Sequence, residues 1–403
     1  MFREIPPTAG LPFNIKSLLT SFHSRNTGSL EDDFKRLLGV GYARITYSGT
    51  AALYIILETL KKLSPKKTVI IPSFICPLVP LAIERAGLKI LVCDIAKSRF
   101  DFEINQLQSV CLKNKDILAI IPVHLGGIPV NLEPVLNIAK NNGIFIVEDC
   151  AQSLGAMNQG RKTGTIGDFA FYSLCRGKGI TIYEGGVIIT KADFSGLIEE
   201  TAKDIEKENR FSECLKLIEL FGYWIFYRPQ LFWFAFRLPQ IFWKIQDKPE
   251  RAFIEYFDSN FPLHNVSEVR KTIGHLQWQC LEKEIDSQRE KTQYYIENLK
   301  EIKNIRIITE APGDYSNYPY LTLIFEEKDK QEKAFRILNT SGRGISRIYL
   351  KAITDYRYLK NLYSPLASLN ARDIASKHIT LSTSTFLEKS DQNYIIEKLR
   401  ELK

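Results

Sequence analysis

The sequence predicts an α/β fold built on a mostly parallel sheet, and three observations predict it. Apolar, strand-like runs alternate with helical patterns from residue 43 onward. Those runs lack polar alternation, as strands buried on both faces do. Functional residue types gather where the runs end, which is where parallel sheets collect their sites. At the last such end one lysine, Lys178, stands in a glycine-rich loop between two apolar runs.

Residues 1–29 carry Pro6, Pro7, Gly10 and Pro12 and read as an N-terminal arm lying on the body or on a partner subunit. Ser29 enters a short helix over 30–39, with Asp32 and Asp33 well placed in its first turn. A strand at 43–47 turns at Ser48-Gly49-Thr50 into a helix that runs to about residue 63. Such a turn caps a helix, and its free N–H groups, hydroxyl and positive dipole end also suit an anion. Strands follow at 68–71, 88–93, 117–123 and 144–147, with helices at 79–86, 104–112 and 132–140. Pro72-Ser73-Phe74, Asp94, His124 and Asp149 fall at strand ends.

Past the lysine loop, 197–220 reads as an amphipathic helix and 274–299 as a long helix leading to a smaller domain. That domain has strands at 305–308 and 320–325, a helix at 330–338, and a short strand or loop at 347–350. His264 and His378 have no metal-type partners and read as solvated or hydrogen-bonded.

Composition sets bounds. The chain has 403 residues, 45% hydrophobic and 25% charged, enough for two or three domains with full cores. Its net charge of +8 is mild, and interspersed Lys and Glu give a solvated surface rather than a nucleic-acid stripe. Seven scattered cysteines with no Cys-x-x-Cys pair fit a reduced, cytoplasmic compartment without structural zinc. The N-terminus lacks a signal-type apolar core, and no run of 18 uninterrupted apolar residues predicts a membrane span.

The lysine loop carries the chemistry. Glycines 177, 179, 185 and 186 let the backbone bend and approach a ligand closely. A lysine amine in such a pocket can lose its proton and form a Schiff base with an aldehyde, which points to pyridoxal phosphate. That cofactor also needs a carboxylate at its ring nitrogen and a cradle for its phosphate. Glu148-Asp149 closes an apolar strand, and either carboxylate can hold a pyridine nitrogen charged. Acidic residues there also cap helices. Gln152, on the following turn, can hydrogen-bond the ring oxygen.

Taken together, these residues resemble the DegT-type sugar-nucleotide aminotransferases, which have the aspartate-aminotransferase fold. The likeness runs over about 40–195 and returns weakly at 265–300 and at the C-terminal end. Ser48-Gly-Thr-Ala-Ala-Leu53 resembles the family's phosphate turn, and Val147-Glu-Asp149-Cys-Ala-Gln152 its ring-binding strand end. Gly167-Asp168, Ser173, Lys178 and Glu184-Gly-Gly186 keep its spacing. The resemblance implies a fold type I enzyme: a large domain with a mostly parallel seven-stranded sheet, and a smaller C-terminal α/β domain. It implies Lys178 as Schiff-base lysine and proton shuttle, Asp149 at the pyridinium nitrogen and Gln152 at the ring oxygen. Ser173, Gly49 and Thr50 would hold the phosphate. It further implies a homodimer, glutamate as amino donor and a keto-sugar nucleotide as acceptor, in surface polysaccharide or amino-sugar biosynthesis.

The chain departs from the family pattern in three places. Where the family stacks a Trp or Phe on the cofactor ring, this chain has Cys76, which leaves a thiol or Phe74 to cover that face. Cys175-Arg176-Gly177 replaces a His-x-Thr approach to the lysine. The Asn-Tyr-Arg-Met segment that reaches a neighbouring subunit's site is reduced to 263–268, with Asn265 as the nearest substitute. Two rivals to the aminotransferase follow: a non-catalytic, membrane-associated scaffold or sensor, and a pyridoxal-dependent sugar dehydratase. In the dehydratase branch the lysine is usually histidine, so Lys178 speaks against it.

The expected organisation is an arm (1–29), a large cofactor domain (30–196), an aromatic-rich helical insertion (197–262), a linking helix (263–300) and a small domain (301–403). Within the insertion, 221–246 is dense in aromatics and interrupted by Arg228, Pro229, Arg237, Pro239 and Lys244. It does not read as a span. Packing on the body or a subunit, peripheral contact with the inner face of the membrane, and contact with a lipid-linked substrate or partner protein are its open readings.

Overall fold

A computed structural model describes residues 2–10, 21, 28–246, 256–364 and 368–402. The rest of the expected arm, 11–20 and 22–27, and residues 247–255 of the insertion lie outside the described residues. Helix α1 (Leu30–Leu38) has the N-cap Ser29, which accepts from the Asp32 N–H, and a left-handed C-cap, Gly39. Alternation then follows: β1 (Tyr42–Thr46), α2 (Gly49–Leu63), β2 (Thr68–Pro72), α3 (Leu78–Arg85), β3 (Lys89–Cys93) and α4 (Ile104–Lys113). It continues with β4 (Ile117–Ile120), α5 (Glu133–Asn142), β5 (Phe145–Asp149), β6 (Phe169–Ser173) and β7 (Gly186–Thr190).

These seven strands form one sheet in the order β1-β7-β6-β5-β4-β2-β3. Only β7 runs antiparallel to its neighbours. Every residue of β2, β4 and β7 is buried, the physical counterpart of the missing alternation. A two-residue strand, β10 (Tyr363–Ser364), adds an eighth member beside β3. It comes from the C-terminal third and is too short to leave a sequence signature.

Two expected helices are divided. In place of one helix over 197–220 there are α6 (Ala192–Ile205) and α7 (Arg210–Phe226). The Asn209 side chain accepts from the Ser212 N–H at 2.9 Å and restarts the chain as a new helix. After α7 come a short turn at Pro229–Phe232, a π-helical turn at Trp233–Arg237, and α8 (Leu238–Ile245). The linking helix begins earlier than expected, as α9 (Glu268–Gln277), and passes through a 3₁₀ turn into α10 (Leu281–Leu299).

The C-terminal part is a three-stranded antiparallel sheet, β8 (Ile305–Ile308), β9 (Tyr320–Phe325) and β11 (His378–Ser382), in that order. Helices α11 (Lys328–Asn339), α12 (Leu369–Lys377) and α13 (Lys389–Arg400) accompany it. Residues 347–350 form no strand. The largest hydrophobic cluster runs from α2, β2 and α3 into β9, α11 and α13, so the two parts share one core. The arm residues 2–10 lie on that body. Ile5 is fully buried, the Ala9 N–H donates to the Pro319 carbonyl, and Arg3 pairs with Asp391 at 3.0 Å.

Candidate active site

The strand order explains why residues far apart in sequence meet. Ser173 pairs with Gly186, and Gly186 pairs with Thr46, so the ends of β1, β7 and β6 stand side by side. The start of α2 is therefore delivered to Ser173. A Cβ placed on Gly49 would lie 3.4 Å from the Ser173 Cβ, and one on Gly186 would strike the Ser48 carbonyl. Gly186 is thus required by close approach, not by flexibility. Ser48 caps α2 through its hydroxyl, accepting from the Ala51 N–H at 3.0 Å. The N–H groups of Gly49 and Thr50, in the first turn of α2, have no partner within the helix, and such groups suit an anion.

Asp149 ends β5, between Phe171 of β6 and Val123 beyond β4. Its carboxylate accepts from the Ala151 N–H at 3.0 Å. Burial pushes its pKa up to about 6, against the opposing pull of the Ala151 N–H and of the charges on Lys178 and His124. A buried carboxylate in this condition is short of positive partners, and a protonated ring nitrogen would be one. Its neighbour Glu148 is otherwise engaged. It accepts from the N–H groups of Gly164, Ile166 and Gly167 at 2.7–2.9 Å and pairs with His124 Nε2 at 3.1 Å. Burial raises its pKa, but His124 and those N–H groups outweigh burial and leave it below the usual range.

Lys178, Gln152 and Ser173 line one cavity of about 60 Å3, with Thr8 and Ala9 of the arm forming part of its wall. The Gln152 Oε1 accepts from the Gly126 N–H at 2.8 Å and from the Tyr320 hydroxyl at 2.5 Å, so its amide hydrogens are the donors left over. The lysine loop is shaped by its backbone. Gly177 has φ 75°, and Tyr183 adopts φ 72°, an uncommon conformation for an aromatic residue that marks a constrained loop. Arg176 is exposed and lies over the Tyr183 ring at 4.9 Å. It does not line the lysine cavity.

Cys76 is half-buried. Phe74 is turned into the core, stacked on Phe100 and edge-on to Tyr349 and His378, so its ring is already covered. Burial pushes the Tyr349 phenol well up, with Cys76, Tyr320 and Asp149 close enough to add to the shift. Tyr349 and Tyr320 therefore join this neighbourhood from the C-terminal part. Sequence reasoning missed both. The one available signal was the aromatic pair Tyr318 and Tyr320 around Pro319, which reads equally well as a strand start. Asn265 is tied elsewhere: its N–H donates to the Lys207 carbonyl, and it lines a separate cleft beside α7 and α9.

His124, Glu148 and Cys150 bring donor atoms within 4.8 Å of one another, all buried. His124 Nδ1 accepts from the Val130 N–H at 3.2 Å, so Nε2 carries the proton given to Glu148. Hydrogen bonds occupy most of this cluster: Glu148 makes four and His124 Nδ1 accepts one.

A second buried network holds the loop from behind. Arg270 is fully buried; Nη1 donates to Glu213 at 2.5 Å, Nε to the Ile182 carbonyl at 3.2 Å, and Nη2 to the Glu184 carbonyl. Glu213 also accepts from the Ser267 N–H at 2.8 Å. Arg270→Leu strands Glu213 without a cation and frees two carbonyls of the lysine loop. A loss of about 3–5 kcal/mol is expected, read as a lower midpoint in urea. An unchanged midpoint would mean that the pair contributes nothing.

The donor set fits pyridoxal phosphate: an amine, a buried carboxylate at the adjacent strand end, a carboxamide, and a helix start joined to a serine hydroxyl. Comparison with known proteins agrees. Escherichia coli O157:H7 GDP-perosamine synthase is 32% identical over 161 residues, which is 40% of this chain and 43% of that protein. The curated relatives it matches first are thus covered over less than half their length. An aminotransferase from Brucella abortus superposes with a TM-score of 0.73 at 19% identity, over 96% of this chain and 95% of that one. The GDP-4-keto-6-deoxymannose-3-dehydratase ColD gives 0.75 at 19%, over 98% and 100%, so the fold by itself does not choose between the two chemistries. The family model covers residues 16–206 and 249–400, most of the sequence, and by that match the chain belongs to the DegT/DnrJ/EryC1/StrS aminotransferase family.

Proposed function

We propose that this chain is a pyridoxal-phosphate-dependent aminotransferase that moves an amino group from glutamate to a keto-sugar carried on a nucleotide. One observation carries the reading: Lys178, Gln152 and Ser173 line one cavity, and Asp149 ends buried on β5, the strand next to the one that Ser173 closes. When bound, the cofactor supplies an aldehyde that carries nitrogen between substrates and a ring that accepts electrons from the reacting carbon.

The chain's own groups then have distinct tasks. Asp149 holds the ring nitrogen protonated through a short-range charge pair in a dry setting. Gln152 donates to the ring oxygen, its carboxamide fixed by Gly126 and Tyr320. Ser173 and the first N–H groups of α2, at Gly49 and Thr50, bind the phosphate. Cys76 covers a ring face. Lys178 would serve as catalytic base and acid: its Nζ would take a proton from the donor's α-carbon in the first half-reaction and give one to the acceptor carbon in the second.

The dehydratase reading is disfavoured by Lys178, whose amine can bond the cofactor's aldehyde at a position where the dehydratase branch usually carries a histidine. The enzyme is proposed to act as a homodimer in the cytoplasm, within surface polysaccharide or amino-sugar biosynthesis. The test is spectroscopic. Purified protein loaded with pyridoxal phosphate is expected to absorb near the violet edge and to lose that band when glutamate is added. Keto-sugar nucleotides should restore it. A band that ignores every amino donor would rule out transamination.

A further inference from the structure

The aromatic run takes no part in the site described above. Between Leu220 and Gln246 the chain has no Asp or Glu, whereas 46 acidic residues in 403 would place about three in 27 positions. It has Arg228, Arg237 and Lys244, together with Trp224, Trp233 and Trp243.

Its second half is a helix turned inside out. The polar residues face inward: Arg237 is 9% exposed and Gln240 4%. Arg237 Nε donates to Glu4 at 2.9 Å, and Nη1 donates to Gln240 at 3.2 Å and to Asn339 Oδ1 at 3.1 Å. Glu4 is itself buried and ties the arm into this network. The large apolar residues face outward, among them Leu231, Phe234, Leu238, Ile241, Phe242 (55% exposed) and Ile245 (80%). Phe2 extends the face, edge-on to Trp233 at 4.6 Å and against Phe234 at 5.8 Å. A helix free to roll would bury these side chains. The Arg237–Glu4 pair prevents it, and the π turn at 233–237 shifts the helical phase next to that anchor. A contiguous apolar face held outward in this way is an interaction surface.

Charge selects the occupant. The run lacks negative charge, and Arg228 is exposed over Trp224 at 5.2 Å. Beside it opens a cleft of about 860 Å3 where Arg3, Arg228 and Arg343 stand with Glu388 and Asp391, three cations against two anions. Tryptophan with basic residues and no acid is the composition of the lipid headgroup layer. Among the described residues no helix is long and apolar enough to cross a membrane, so the contact is with one surface.

We propose that the 231–245 helix and Phe2 lie in the headgroup layer of an anionic bilayer and hold this protein on the membrane surface. The proposal does not depend on the reaction assigned above. It is tested with the full chain, purified without detergent and spun with vesicles of phosphatidylcholine alone or mixed with phosphatidylglycerol. Sedimentation with the anionic vesicles is expected, weakened by high salt. In the exposed-face variant Leu238→Glu with Phe242→Glu, the bound fraction should fall at least about tenfold, with cofactor absorbance and thermal midpoint unchanged. Wild-type protein left in the supernatant of every vesicle would overturn the proposal. So would a double variant that binds as well as wild type. A drop in oligomer mass in the double variant, with no vesicle binding by wild type, would assign the face to a second copy instead.

Discussion

Lys178→Ala is expected to lower turnover by about 10³-fold or more, because one amine serves both as the cofactor's covalent anchor and as the proton carrier. The variant should fold. The loop is held by backbone bonds that do not involve the side chain: the Leu174 N–H to the Gly185 carbonyl at 2.8 Å, and the Ile182 N–H to the Leu174 carbonyl at 3.0 Å. Circular dichroism and thermal midpoint should therefore match wild type. Borohydride reduction of the loaded wild type should leave the cofactor's mass on the peptide containing residue 178, and the variant should show no such adduct. A variant that keeps even a tenth of wild-type turnover would remove Lys178 from the chemistry.

Asp149→Asn should move stability and activity in opposite directions. In the cofactor-free protein the Asp149 carboxyl titrates at about 6 instead of its ordinary 3.8, because burial disfavours its charge. The folded chain then holds a proton that the unfolded chain has already lost. Stability from this group is greatest below pH 3.8, falls as pH rises through the window to about 6, and is level above it. The difference corresponds to about 3 kcal/mol at neutral pH. The asparagine variant lacks this penalty. Without cofactor it should be the more stable protein at pH 7 by an amount of that order, and the advantage should vanish near pH 4. With cofactor, turnover should fall by roughly 10²-fold or more, since the ring nitrogen loses its counter-charge. Urea midpoints of the two cofactor-free proteins across pH 4–7 test the first half. A difference independent of pH would show that Asp149 is not the titrating group.

Much of the site was legible because parallel sheets place function at strand ends. Ser48-Gly49-Thr50, Asp149, Ser173 and Lys178 were each marked by a local feature: a helix start, an acid closing an apolar run, or a hydroxyl or amine bordered by glycine. The choice between Glu148 and Asp149 was not legible from the residues. Both are buried at the end of β5, and only the positions of His124, Gly164 and Gly167 show that Glu148 is saturated while Asp149 is not. The break at Asn209 and the 3₁₀ turn at Trp278–Cys280 were hidden too, because a cap or a turn interrupts hydrophobic periodicity too briefly to register.

What the sequence determined by itself was the order of the elements, the parallel sheet and the place of the candidate amine, Lys178, in its loop. Each is a property of neighbours along the chain. Tertiary structure decided what covers and holds that amine: Tyr320 on Gln152, Tyr349 beside Cys76, Arg270 behind the loop, and Thr8 and Ala9 across the cavity. It also turned Arg237 inward and the aromatic helix outward. These contacts join residues far apart in the sequence, and local periodicity cannot report a partner that only folding brings near.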